Sequence, residues 1–313
     1  MGKYRSIQQQ FFHVVESNRV HGVSKRGDRI SGKGNESRVY SNGREKILKD
    51  TAKQFANYLK ENHPEIKQIK EIKPEHVQEW VDSKSKQWTN RTTTEKISEI
   101  RKLEELAKKT FNINTNMTKG VKSKAEKQRD ESRAKPMKRE HLEQLREELK
   151  DSKAAAKIAV ELSYRIGLRN RESAFLRGEN IDLKNKCVHI REGAKGGKYR
   201  DIPIREKDME FFRELKDKTP DTAFCCGGVE PSSINKGIRR SMENIGISKE
   251  YRKTSEHAIR KIYASERMKE ITGTDERTDP RQNKKEFDAW RIVQAELGHT
   301  DKFRFELYNT YAK

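Results

Sequence analysis

The chain has 313 residues, with 70 Lys or Arg against 49 Asp or Glu, a formal net charge of +21 and 38% charged residues, where an ordinary globular domain has about 25%. No window approaches the ~20 consecutive apolar residues that cross a bilayer, and no short apolar stretch follows a basic N-terminus, which argues against membrane and secreted readings. Three cysteines, Cys187, Cys225 and Cys226, cannot build a disulfide framework and fit a reducing compartment. The positive surplus points to a polyanion, most simply nucleic acid.

Residues 1–43 carry 6 Gly and 8 Lys or Arg, with no apolar periodicity after the Phe11-Phe12-His13-Val14-Val15 run. They are expected to form a basic, flexible arm that orders on binding. From Arg44 the pattern turns helical. Leu48, Ala52, Phe55 and Leu59 step by four, three and four; Pro74 suits a helix start ahead of Val77, Trp80 and Val81; Thr92, Thr93 and Thr94 precede Ile97, Ile100, Leu103 and Ala107. Residues 44–111 thus read as a small helical domain.

Residues 112–137 read as a basic linker whose Lys122 and Lys124 are candidate backbone-phosphate contacts. The second domain, 138–313, opens with two helical stripes, Leu142, Leu145 and Leu149, then Ile158, Leu162 and Ile166. Two short β signals at 187–190 and 201–204 flank a Gly-Lys turn, and helices are expected at 206–217, 231–246, 255–270, 289–297 and 303–311. The expected class is mainly α with a small antiparallel sheet in the second domain.

Four short segments of that domain concentrate one kind of residue. Gly167-Leu168-Arg169 is followed by Glu172 and Leu176; the turn holds Lys195, Lys198 and Arg200 ahead of Pro203; His257 and Arg260 stand at i, i+3 on one helical face; and Leu297-Gly298-His299 is followed nine residues on by Tyr308. Singly each is weak. In this order and spacing they make the chain resemble the tyrosine recombinase (phage integrase) family, whose boxes read Gly-Leu-Arg-x-x-Glu, Lys-x-x-Lys-x-Arg-x-x-Pro, His-x-x-Arg and Leu-Gly-His with Tyr at nine. The resemblance spans about 138–313, and it implies that the helical domain at 44–111 is of the family's core-binding (SAM-like), DNA-binding type.

The resemblance implies a two-domain DNA clamp that cleaves and rejoins double-stranded DNA at specific sites through a 3′-phosphotyrosine link, with no cofactor, no metal and no ATP. Arg169 and Arg260 would clamp the scissile phosphate, Tyr308 would attack it, and Lys195 would protonate the leaving 5′-oxygen. His257 would handle the tyrosine proton, His299 would donate to a phosphate oxygen, and Glu172 would orient Arg169 or His257. Arginine suits the phosphate because it stays charged and offers a planar fork of donors. Lys198, Arg200, Arg239 and Arg240 are further candidate DNA contacts. A homotetramer on two duplexes, accessory DNA-bending proteins and a cytoplasmic, nucleoid-associated setting in a prokaryote or phage follow from the same resemblance, with integration or excision of a mobile element as the role. Type IB topoisomerase-like relaxation and a non-catalytic DNA-binding protein on the same scaffold are the alternatives.

Three departures from the family stand out. Lys261 occupies the position after Arg260 where a His is usual, and the 39 positions from Arg260 to His299 are more than expected, the excess at 270–288 reading as a solvated insertion. Five residues follow Tyr308, so protomers would contact one another differently from relatives with a further helix, unless the natural chain continues. Tyr311, twelve from His299, is the rival nucleophile.

Overall fold

The computed structural model describes residues 6–23, 25–32, 37–127, 136–194, 197–251, 255–299 and 302–312. It divides into two compact units, 1–130 and 131–313. The first holds α1 (Ile7–Ser17), α2 (Lys25–Ile30), α3 (Asn42–Asn62), α4 (Pro74–Asp82) and α5 (Asn90–Phe111). Ser6, Ser41 and Thr89 cap α1, α3 and α5 by accepting from the third backbone N–H on, where four helix donors otherwise lack partners.

The expected flexible arm is in part a packed helix. Ile7, Phe11, Val14 and Val15 fall at i, i+4, i+7 and i+8, one stripe of a helix, and they join Leu48, Phe55, Leu59, Trp80 and Ile100 in a single core. Asn18 Nδ2 then donates to Thr110 Oγ1 at 2.8 Å. The expected linker likewise starts as part of this unit. Met117 is fully buried, and Thr118 donates through N and Oγ1 to Glu104 Oε2, 3.0 Å each. Residues 128–135 lie outside the described ones.

The second unit is mainly α with one small antiparallel sheet. It runs α6 (Arg139–Glu148), α7 (Ala155–Ile166), α8 (Asn170–Phe175), β1 (Ile181–Asp182), β2 (Cys187–Ile190), β3 (Arg200–Pro203), α9 (Met209–Lys218), α10 (Pro231–Asn244), α11 (Ser255–Thr272), α12 (Lys284–Glu296) and α13 (Phe305–Tyr311). The strands lie in the order β1-β2-β3, with Ile181 opposite Val188, Val188 opposite Ile202 and His189 opposite Asp201. Side chains alternate across the sheet. Val188, Ile190 and Ile202 enter the core, while Cys187, His189 and Asp201 stay on the outer face.

A smaller apolar cluster, Tyr263, Trp290, Val293, Leu297 and Tyr308, joins α11, α12 and α13. Helix α12 begins five residues earlier than expected, because Asn283 caps it by accepting from Glu286 N at 3.2 Å. No described helix is long and apolar enough to cross a membrane.

Candidate active site

Arg169 is the residue before α8, and its backbone N–H donates to Glu172 Oε2 at 3.0 Å while its Nη1 donates to Oε1 at 2.8 Å. Arg200, reaching in from β3, grips the same carboxylate with two bonds, Nη1 to Oε1 at 3.0 Å and Nη2 to Oε2 at 2.8 Å, and its Nε donates to the Glu296 carbonyl at 2.7 Å. Every edge of its guanidinium is thus used inside the protein. Arg200, expected as a DNA contact, is instead an internal strut. Burial alone would raise the Glu172 carboxyl, but Arg200's hydrogen bonds and the charges of Arg200, Arg169 and Arg260 outweigh it and bring the pKa down to about 2.

Arg260, on α11, is wholly buried. Its Nη2 donates to the Leu297 carbonyl, while Nε and Nη1 have no hydrogen-bond partner among the described residues. Burial and the neighbouring Arg169 charge lower its pKa to about 10, which leaves it a cation at neutral pH. Two glycines of the sequence motifs make room for this packing. Gly298 has φ +65°, and a Cβ there would lie 2.7 Å from Arg200 Nη1; Gly167 has φ +63°, and a Cβ would lie 2.6 Å from Tyr263 Cδ1.

The structure separates the two tyrosines of α13. Tyr308 is fully buried against Trp290, its hydroxyl 2.5 Å from Glu286 Oε1 and 2.8 Å from the Thr278 carbonyl. Burial, then the hydrogen bond and charge of Glu286, push its phenol well above the ordinary tyrosine range. Glu286 is held in turn by Arg277 Nη1 at 3.2 Å. The 270–288 segment is therefore not simply a solvated insertion, since its Arg277–Glu286 pair is buried and anchors Tyr308. Tyr311 instead lies beside the arginine cluster, its ring centroid 5.5 Å from that of His299 and 5.8 Å from Arg260 Cζ. Tyr308, the residue singled out by spacing, is not brought to Arg260; Tyr311 is.

His257 is exposed one turn before Arg260 on α11. Lys195 lies outside the described residues. Lys198 is half-buried, and Lys122, Lys124, Arg239 and Arg240 are exposed, with Lys124 paired to Asp82 at 2.9 Å. Lys261 is buried, and burial lowers its ammonium to about 8. On the sheet's outer face, ligand atoms of Asp182, Cys187 and His189 lie within 4.8 Å of one another.

Sequence reasoning passed over Glu256, in the first turn of α11, because a lone acid beside a His carries no pattern. It is buried, and burial raises its carboxyl to about 7 despite Ser163 Oγ at 3.1 Å and the charge of Arg260. A folded pKa above the unfolded one means that its stabilising contribution is complete below about pH 4.5 and is lost as pH rises through about 7. At ~1.4 kcal/mol per unit this is about 3 kcal/mol. Thermal melts of Glu256→Gln are expected to decline less between pH 5 and 8 than those of the unmutated chain.

Residues 135–275 match the phage integrase family, and a curated tyrosine recombinase of Pseudothermotoga lettingae is 24% identical over 265 residues, covering 82% of this chain and 83% of its own. The chain is thus similar to tyrosine recombinases, the family match lying within its second unit. Two solved structures share the fold. A lambda integrase dimer bound to a COC′ core site matches with TM-score 0.60 and 15% identity over 92% of this chain and 93% of its own. The Tn1549 transposon integrase in complex with a circular intermediate DNA matches with TM-score 0.58 and 15% identity over 99% and 96%.

Proposed function

We propose that this chain is a tyrosine recombinase, cutting and rejoining DNA at specific sites through a 3′-phosphotyrosine intermediate with Tyr311 as the attacking residue. One observation carries the reading. A fully buried guanidinium, Arg260, has two donors without a hydrogen-bond partner among the described residues, and an unmade buried bond costs ~1–3 kcal/mol, more for a charged group. An anionic oxygen is the group such donors fit, and a phosphodiester brings two of them. Arg169, fixed by Glu172, supplies the second guanidinium.

Attack by the Tyr311 oxygen forms the P–O bond, the bond to the deoxyribose 5′-oxygen breaks, and Lys195 gives that oxygen its proton. His299, packed on Tyr311 with ring centroids 5.5 Å apart, takes the tyrosine proton in this reading in place of His257. His257, exposed one turn before Arg260, donates to a phosphate oxygen. The guanidiniums stabilise the charge that gathers on the non-bridging oxygens, a contribution of ~10²–10³ in rate for a single donor in other enzymes. A free 5′-hydroxyl of another strand reverses the step, so the bond energy is kept in the phosphotyrosine. Double-stranded DNA is the partner, four protomers act on two duplexes, and the role is integration or excision of a mobile element.

The test is a duplex carrying the element's end sequence with a nick beside the target bond, so that the short 5′-hydroxyl fragment diffuses away. The chain is expected to become trapped as a covalent adduct stable to denaturant. Binding without adduct would leave only a DNA-binding scaffold, and relaxation of any supercoiled plasmid regardless of sequence would mark a type IB topoisomerase.

A further inference from the structure

We propose that the outer face of the three-stranded sheet is a binding site for one zinc-class transition-metal ion, held by Asp182, Cys187 and His189. The register builds it. Asp182 is opposite Cys187 across β1 and β2, Cys187 and His189 are two apart on β2 and so share a face, and His189 is opposite Asp201 across β2 and β3.

The spacing suits a tetrahedral ion. Bonds of ~2.0–2.3 Å to nitrogen, oxygen and sulfur set neighbouring ligand atoms about 3.3–3.8 Å apart. Here His189 Nε2 is 3.6 Å from Asp182 Oδ2 and 3.8 Å from Cys187 Sγ. The ring is already aimed: its Nδ1 lies 2.8 Å from Asp201 Oδ1, which Arg191 Nη2 also holds at 2.7 Å. Arg191 Nη2 also approaches Nδ1, at 3.3 Å, but the 2.8 Å contact to Asp201 is the shorter; when Nδ1 donates its proton to Asp201, Nε2 turns a lone pair toward the other two donors, the carboxylate–histidine arrangement that orients metal-bound imidazoles. Asp182 is itself fixed by Asn185, whose N and Nδ2 donate to it at 2.9 and 2.7 Å.

One thiolate, one carboxylate and a neutral imidazole balance a divalent charge, so the +21 chain does not repel the ion through this site. The ion would staple β1, β2 and β3 from outside. From the other face of β3, Arg200 reaches Glu172. The role is structural, and it does not depend on the strand-exchange reading.

Cobalt(II) titrated into the full-length chain after chelator treatment tests it, followed by competition with zinc. One equivalent is expected to bind with a thiolate-to-cobalt charge-transfer band that zinc displaces. Cys187→Ser is expected to remove the band, and Asp201→Asn to weaken binding ~10–100-fold. Cys225 and Cys226 supply an internal control, since burial raises their thiols to about 11 and about 12 and keeps them protonated. Absence of the band, its survival in Cys187→Ser, or equal zinc uptake by that variant and the unmutated chain would overturn the site.

Discussion

Tyr311→Phe is expected to abolish covalent DNA attachment, while Tyr308→Phe keeps it. The two residues are three apart on α13, about 4.5 Å along its axis and some 60° apart around it, so helical spacing alone does not choose between them and their contacts do. The structure seats Tyr311 against Arg260, with His299 at its ring. Tyr308 packs instead against Trp290 and onto Glu286. For Tyr308 to attack, it would have to give up a hydrogen bond to a buried carboxylate and leave the interior. Its raised phenol pKa adds to that barrier, because the nucleophile is the deprotonated oxygen. Tyr308→Phe leaves Glu286 with one partner fewer, at a cost of ~1–3 kcal/mol. Its melting temperature should fall while its adduct still forms below that temperature. The measurement is denaturing electrophoresis after incubation with the nicked duplex, for both variants, with thermal melts alongside. An adduct in Tyr311→Phe together with none in folded Tyr308→Phe would return the role to Tyr308. No adduct from the unmutated chain would sink the recombination chemistry rather than the choice of tyrosine.

This choice marks where the sequence stops being readable. The nine-residue count from His299 to Tyr308 matches the family pattern, yet a count fixes neither where α13 starts nor which of its faces meets the arginines. Helix α13 starts at Phe305, and its anchoring depends on Glu286, 22 positions away, and Arg277, which the sequence presents as part of a charged insertion. Arg169, Glu172 and Arg260 were legible because each sits in a short motif whose glycine or helical spacing has a local cause. Arg200 was legible as a charge and not as a strut, since its partners Glu172 and Glu296 are 28 and 96 positions away. Helices α9 to α13 were visible from apolar periodicity. The two-residue β1 is too short for any period, and without it the outer-face cluster of Asp182, Cys187 and His189 could not be seen. Helix α1 shows the same limit from another side. Its five apolar residues read as an isolated run until Leu48, Phe55 and Ile100 supply the core they complete.

Glu172→Gln is expected to be the most destabilising single change in the site, costing about 3–5 kcal/mol at neutral pH. Removing one partner of a buried ion pair leaves charge uncompensated, and this carboxylate serves Arg169 and Arg200 directly and lies in the field of Arg260. An amide keeps the size but points donors at donors. The pKa gives a separate route to a similar magnitude. A fall from about 4.5 to about 2 corresponds to about 3 kcal/mol of stability, present in full above about pH 4.5 and lost as pH falls through about 2. Denaturant titrations should therefore show the unmutated chain weakening from pH 4.5 downward, with Glu172→Gln less stable at pH 7 but flatter across that window. A merely structural carboxylate would show only this. Because Glu172 also fixes the guanidinium of Arg169, the rate of adduct formation per folded molecule is expected to fall ~10²-fold or more, the scale of one misplaced transition-state donor. Full adduct rate in the folded fraction of Glu172→Gln would show that Arg169 holds its place without it. Glu256, close enough to Arg260 to feel its charge, should respond with the opposite sign: its pKa is raised, so its window lies above pH 4.5. Two buried carboxylates near one arginine then divide the pH axis between them, because one is fully paired and the other is chiefly desolvated.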